Sequence, residues 1–259
     1  MASGEWRVVS YGRAFVITRT LSLAKPTKQS NTRSLLANKK QMKIKAILTG
    51  ATGMVGEGVL HECLLHNDVE EVLVVGRRSC GTSHPKLKEV LVPDFFGLSS
   101  IENQLSGYNA CFFCLGVSSI GMKEPEYHKL TYELTMNFAR TLVPRNPGMT
   151  VCYISGRSTN EDGRMMWARV KGKTESDLMK LSFKKAYNFR PGIMTPTKGL
   201  KNTLSFYKYT GWLIPFIKLI SPASVSTLKQ VGLAMINAVE IGYDKQILEV
   251  KDIIALSKK

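Results

Sequence analysis

No apolar run in this chain reaches the roughly 20 residues that a membrane-spanning helix needs. The longest candidate near the C-terminus, Trp212 to Ile220, is interrupted by Pro215 and Lys218, so no transmembrane helix is expected. The N-terminus lacks the apolar core of a secretory signal, and the five cysteines, odd in number and irregular in spacing, describe no disulfide framework. These absences point to a reducing compartment: the cytoplasm, or a mitochondrion or other organelle if the leader is a transit peptide. Metal-ligand spacing is missing as well. His61 and His66 stand five apart on one helical pattern, His84 and His128 stand alone, and no Ser-His-acid arrangement follows from spacing. Cys111 and Cys114 form a C-x-x-C within the apolar run 110–115, which reads as a strand. Residues three apart on a strand face opposite ways, so the pair reads as small buried hydrophobes rather than a metal or redox site.

Acids are scarce where bases are dense. The chain carries 36 Lys and Arg against 20 Asp and Glu, a net +16, and residues 1–41 hold eight of the bases against the single acid Glu5. A net +7 therefore falls in the leader and +9 in the remainder. Nucleic-acid binding needs the charge on a folded face, so it is not expected here. A moderately basic remainder also suits a polyphosphate ligand. With 44% hydrophobic residues, 259 residues bury the core of one domain with a small appendage. Residues 1–41 read as a poorly ordered leader, either a transit peptide or an extension ahead of a natural start at Met42. Residues 42–194 read as the main domain, and 195–259 as a small C-terminal substrate-side segment packed on it.

From Lys43 short apolar runs alternate with helix-length amphipathic stretches, the pattern of an α/β fold with a doubly wound parallel sheet. Strands are expected at 44–49, 71–75, 89–92, 110–115, 150–154 and 186–189. Helices are expected at 54–66, 125–142, 164–181 and 226–239, followed by one short final element.

The first strand runs into Thr49-Gly-Ala-Thr-Gly-Met-Val-Gly56, and a helix follows. Strand before and helix after are the context that a dinucleotide phosphate turn requires. Gly50 permits the tight turn, Gly53 lets the backbone approach a pyrophosphate, and Gly56 lets helix and strand pack closely. The phosphates would meet the open amides at the helix start, around Thr52, Met54 and Val55. About twenty residues on, where NAD-binding folds place an acid for the ribose hydroxyls, the second strand ends in Gly76-Arg77-Arg78. A guanidinium clamps a 2'-phosphate that a carboxylate would repel, which favours NADP(H) and leaves NAD(H) as the alternative. A solvated arginine pair at a strand end is the other reading.

Taken in order, the glycine turn, Gly-Arg-Arg, Val-Pro-Asp94-Phe, Cys-Leu115-Gly116-Val117-Ser and Phe-Arg190-Pro191-Gly192 resemble the atypical short-chain dehydrogenase/reductase superfamily. The resemblance is nearest to its NAD(P)-binding, epimerase-like group that includes the Tat-interacting-protein-like oxidoreductases, and it covers roughly residues 43 to 240. It implies a Rossmann-like fold in which Asp94 contacts the adenine and Leu115, Gly116 and Val117 line the cofactor beside the ribose. Arg190, Pro191 and Gly192 would border the nicotinamide and substrate. Asp94 reads equally well as a turn residue after Pro93.

The family's reaction centre is a Ser, then Tyr-x-x-x-Lys on the next helix. Here Ser155 ends the fifth strand and Lys171 lies on the following helix, but the position four before Lys171 is Trp167. An indole N–H donates a hydrogen bond yet exchanges no proton near neutral pH, so proton transfer cannot pass through residue 167. Trp167 would instead wall the nicotinamide or substrate. Tyr127, Tyr132 and Tyr153 are the candidate substitute acids, none at the family's spacing. Lys171 reads either as a cofactor ligand or as a surface lysine in a charged run, and Ser155 either as a site residue or as a turn or cap serine.

The aromatic segment from Phe206 to Ile220 reads as a buried packing element, a lid over the substrate, an oligomer interface or a peripheral membrane contact. Two functions stand: an NADP(H)-dependent oxidoreductase or epimerase-like enzyme on a small carbonyl or hydroxyl compound, and a non-catalytic NADP(H)-sensing protein. Its partners are expected to be the nicotinamide cofactor and a small-molecule substrate, on a monomer or homodimer.

Overall fold

The computed structural model describes residues 6–11, 14–19, 43–202 and 224–259. The chain divides into two compact units, Met1–Gln41 and Met42–Lys259. In the first unit, β1 (Trp6–Tyr11) and β2 (Ala14–Arg19) form an antiparallel hairpin with Tyr11 opposite Ala14. The sequence reading expected no element there. Both stretches are rich in β-branched and aromatic residues, which favour strands even without clean alternation.

In the second unit the six expected strands are β3 (Ile44–Thr49), β4 (Val69–Gly76), β5 (Leu87–Leu91), β6 (Ala110–Phe113), β7 (Thr150–Ile154) and β8 (Lys185–Arg190). Short strands β9 (Ile193–Thr195) and β10 (Val225–Thr227) pair in parallel with each other. The final element contains a further strand, β11 (Ile247–Glu249), that pairs with β8. The result is a seven-stranded, wholly parallel sheet in the order β11-β8-β7-β6-β3-β4-β5. The strand order reverses at β3, which has β4 on one side and β6 on the other. In open sheets of this kind the crevice for a ligand opens at that reversal, outside the carboxyl ends of the strands.

Among the described residues the α-helices are α1 (Met54–Leu65), α2 (Glu124–His128), α3 (Leu134–Leu142), α4 (Met166–Lys180), α5 (Leu228–Glu240) and α6 (Val250–Leu256). A π turn, Lys129–Glu133, joins α2 to α3 where one uninterrupted helix was expected. Apolar periodicity does not register the single extra residue that a π turn inserts. The strands alternate between two cores. Leu48, Phe112, Cys152 and Phe189 pack with Val59 of α1 and Met235 of α5, whereas Ile47, Phe113, Val151 and Tyr153 pack with Phe138 of α3 and Leu178 of α4. Each such large apolar side chain contributes about 1.5–3 kcal/mol by leaving water. Cys111 lies in the second core and Cys114 against the first, so the two thiols face opposite ways. Burial pushes both thiols up from their ordinary range. Among the described residues no helix is long and apolar enough to cross a membrane. The aromatic segment 206–220 lies outside the described residues.

Candidate dinucleotide site

Gly50 leaves β3 with φ +76°, and a Cβ there would lie 2.7 Å from the carbonyl carbon and oxygen of Cys114. Only glycine satisfies both the left-handed backbone and the approach of the segment after β6. A Cβ on Gly56 would lie 2.1 Å from the Gly50 carbonyl oxygen, so the first turn of α1 sits directly on the glycine loop. Gly53 differs. It is exposed, its hypothetical Cβ meets nothing nearer than the Gly50 oxygen at 3.4 Å, and its φ is −103°. Among the described residues its missing side chain serves no packing need. Gly53 caps α1 without any side-chain acceptor, so the amides of Met54 and Val55 stay open at the positive end of a 12-residue helix. Thr52 lies half-buried in the same turn.

The turn opens into a recess lined by Gly50, Ala51, Thr52, Val74, Gly76, Arg77, Arg78, Phe95 and Leu115. The termini of β4 and β6 and the segment after β5 converge there because β3 stands between β4 and β6. The Leu115 amide donates to Thr49 Oγ1 (3.3 Å), tying the end of β6 to the end of β3. Arg77 and Arg78 are exposed at the rim, and no carboxylate among the described residues pairs with either. Asp94 is exposed and its Oδ1 accepts from the Phe96 amide (3.0 Å), the turn-residue arrangement; the neighbouring Phe95, 2% exposed, is the side chain that lines the recess. Gly116 and Val117 are exposed beyond Leu115, with nothing within 4 Å of a Cβ on Gly116. A planar base against Phe95 and phosphates on the amides of the turn fit this donor set.

The second half of the site lies at the ends of β7 and β8. Ser155 follows β7, its amide donating to the Phe189 carbonyl (2.8 Å). It is 5% exposed, neither a helix cap nor a surface turn. Its hydroxyl lies 3.2 Å from Thr159 Oγ1, which itself donates to the Gly156 carbonyl (2.7 Å). With the threonine proton used, Ser155 is the donor in that pair. Four-residue spacing sets Trp167 and Lys171 on one face of α4: a Cβ on Gly156 would lie 3.3 Å from Trp167 Cζ3 and 3.9 Å from Lys171 Cδ. Lys171 is thus no surface lysine. Its Nζ makes one long bond, to the Ile154 carbonyl (3.4 Å), and lies 5.9 Å from the centre of the Tyr153 ring. Desolvation pulls its pKa down to about 8, against the opposing pull of the Glu175 carboxylate.

Arg190 is committed elsewhere than to a ligand. Its guanidinium holds Glu175 through two bonds (2.6 and 3.0 Å) and Glu249 through a third (3.1 Å), fastening α4, β8 and β11 together. The Pro191 carbonyl accepts from Ser226, and Gly192 has φ +66° with a Cβ position 2.5 Å from the Ser224 carbonyl oxygen. Of the candidate substitute acids, Tyr132 donates to Asp177 (2.8 Å), while Tyr127 and Tyr153 are each 2% exposed and pushed above the ordinary phenol range by burial. Sequence reasoning missed Phe95, Thr159 and Glu175. The last two each stand four residues beyond a residue already singled out, a spacing that signals a shared turn or helical face.

A parallel sheet whose first strand passes through a glycine turn into an uncapped helix is a Rossmann-like α/β fold. No protein-family model matches the chain. Among curated proteins, the mitochondrial protein FMP52-2 of Scheffersomyces stipitis is 27% identical over 151 residues, 58% of this chain and 66% of that protein. Protein HTATIP2 of Rattus norvegicus is 24% identical over 149 residues, 57% of this chain and 61% of the relative. The match spans less than two thirds of either relative's length. It bears out the resemblance to the Tat-interacting-protein-like group. Solved structures of the same fold include MoeE5 in complex with UDP-glucose and NAD, with TM-score 0.57 and 16% identity over 82% of this chain and 80% of that one. The NADPH-bound carbonyl reductase from chicken fatty liver follows with TM-score 0.53 and 13% identity over 81% of this chain and 94% of that one.

Proposed function

We propose that the chain binds a nicotinamide dinucleotide, NADP(H) in preference to NAD(H), and acts as an oxidoreductase or epimerase-like enzyme on a small carbonyl or hydroxyl compound. The observation that carries this reading is the glycine turn opening into a recess that ends at two arginines, neither paired with a carboxylate among the described residues. The turn amides hold the pyrophosphate, Phe95 and Val74 border the adenine, and Arg77 and Arg78 clamp a 2'-phosphate. When bound, the nicotinamide supplies hydride chemistry. Lys171 and Ser155 lie at the far end of the crevice to orient ribose and substrate, and Trp167 excludes water. Solved neighbours with NAD and with NADPH support a nicotinamide cofactor.

The cofactor preference is tested by titrating NADPH and NADH against the full chain and against Arg77→Asp combined with Arg78→Ala. NADPH affinity is expected to fall by about tenfold or more, the scale of one charge-assisted contact, while NADH changes little. Equal weakening of both would sink the clamp. Trp167 in place of a phenol favours a second reading, a sensor that binds NADP(H) without turnover. NADPH bound yet never oxidised across a broad carbonyl panel would establish that reading. The basic leader and the mitochondrial designation of the FMP52 relatives together support a mitochondrial rather than cytoplasmic location, to be read from the distribution of the tagged full chain.

A further inference from the structure

An oxidoreductase acting on a carbonyl must give the new hydroxyl a proton, and the four-residue partner of Lys171 has none to give. We propose that Lys171 itself delivers and removes the substrate proton, with Glu175 and Arg190 as positioning residues. The inference rests on the oxidoreductase reading above.

Among the described residues, the other candidate donors are occupied or remote. Tyr132 is held by Asp177, Tyr127 and Tyr153 are sealed in the core, and Ser155 spends its proton on Thr159. Lys171 differs from all of them. Its ammonium reaches the end of β7 beside Gly156, where its only acceptor among the described residues is the Ile154 carbonyl at 3.4 Å. An ammonium has three donors, so two are left for a ligand or water. Among the described residues no carboxylate forms an ion pair with it. Glu175, one helical turn on, is 3% exposed at its side chain and is taken by Arg190 in a two-pronged pair. That arrangement keeps a negative charge near Lys171 without letting it close on the ammonium and trap the proton.

Among the described residues, the charged and titratable groups around Lys171 are Glu175 on its own helix, Arg190 of β8, Tyr153 of β7 and, behind Tyr153, Tyr127 of α2. Both phenols stay neutral well past pH 9 because burial raises them. Arg190 stays charged throughout. Lys171 is therefore the group in this set whose charge changes between neutrality and pH 10, since desolvation brings it down to about 8.

In the reducing direction, the carbonyl carbon gains a hydride, the π pair of the C=O bond moves to oxygen, and that oxygen takes a proton from Lys171 Nζ. The ammonium becomes a neutral amine and is reprotonated from solvent. The two electrons would come from a bound reduced nicotinamide, which would be left oxidised. Oxidation of an alcohol runs the same steps backwards, with the neutral amine accepting the hydroxyl proton.

The test uses the purified full chain with NADPH, and 4-nitrobenzaldehyde heading a panel of aldehydes and ketones, from roughly pH 6 to 10. Reduction by the wild type is expected to decline as pH rises through about 8, where the ammonium is lost. Lys171→Arg keeps the cation but cannot release a proton, so NADPH binding should stay within about threefold while turnover falls at least about a hundredfold. Adding Trp167→Tyr to Lys171→Arg puts a phenol back and is expected to recover at least about tenfold of that loss and to remove the decline at pH 8. With an active wild type, a Lys171→Arg enzyme within tenfold of it and with the same pH profile would overturn this proposal alone. Activity that appears only after Trp167→Tyr would overturn it too, because the lysine would then be insufficient. A wild type that binds NADPH and reduces nothing, with or without Trp167→Tyr, overturns the oxidoreductase reading along with the proposal. A wild type that fails to bind NADPH removes the cofactor reading itself.

Discussion

Two glycines three residues apart should fail in opposite ways when each is given a methyl group. At Gly56 the added Cβ would sit 2.1 Å from the Gly50 oxygen and 2.4 Å from its carbon, and both are backbone atoms that move only if the whole turn moves. Forcing a methylene into such a space costs about 1–3 kcal/mol. In a unit of this size that lowers Tm by about 2–4 °C per kcal/mol, hence by about 2–12 °C in all. At Gly53 the nearest atom is 3.4 Å away and φ is −103°, which alanine adopts freely. The loss is confined to a poorer helix cap, about 1 kcal/mol or less. Gly53→Ala should therefore melt within about 4 °C of the wild type yet bind NADPH at least about tenfold more weakly, because the methyl stands where the pyrophosphate must approach. Gly56→Ala should lose stability and binding together. Thermal unfolding followed by circular dichroism and NADPH binding followed by fluorescence separate the two effects. A Gly53→Ala protein that binds like the wild type would refute the ligand-approach argument, and an unshifted Tm for Gly56→Ala would refute the packing argument.

The remaining expectations concern the second half of the site. Arg190→Met leaves the Glu175 carboxylate buried without its partner and should cost about 3–5 kcal/mol, read by denaturant unfolding; a change below 1 kcal/mol would contradict the buried ion pair. Lys171 has a folded pKa of about 8, below its ordinary 10.5, so at neutral pH it is charged in both folded and unfolded chains and its desolvation penalty is present in full. As pH rises from 8 to 10.5 the folded protein sheds the proton first and the penalty disappears. Lys171→Met should consequently be more stable than the wild type at pH 7, with the gap closing towards pH 10.5; a gap that widens would refute the assignment. The thiols of Cys63, Cys111 and Cys152 are buried and raised, so they should resist a water-soluble disulfide reagent until the protein unfolds.

What was legible in the sequence depended on range. Ile44 to Thr49, Met54 to Leu65 and the glycines between them appear as read, because turn, strand and helix each leave a local pattern. Trp167 and Lys171 share a face because their spacing is helical. Elements resting on distant partners were less visible. Ile247–Glu249 is three residues long and becomes a strand by pairing with β8, a contact that no local pattern announces. Arg190 looked like a site residue beside Pro191 and Gly192, but its guanidinium meets Glu175 and Glu249, 15 and 59 residues away. Ser155 was legible as a strand-end serine, whereas its hydroxyl partner Thr159 depends on a loop in which Ser158 takes φ +64°. Lys171 sits in a charged run that reads as a solvated face, and only the packing against Gly156 reveals that it turns inward.

Calorimetric titration of the full chain with NADPH and with NADH tests the central claim most directly. The account predicts one site per chain, NADPH tighter than NADH by about tenfold or more, and loss of both on Gly56→Ala. Absence of heat with either dinucleotide, or undiminished binding by Gly56→Ala, would contradict it.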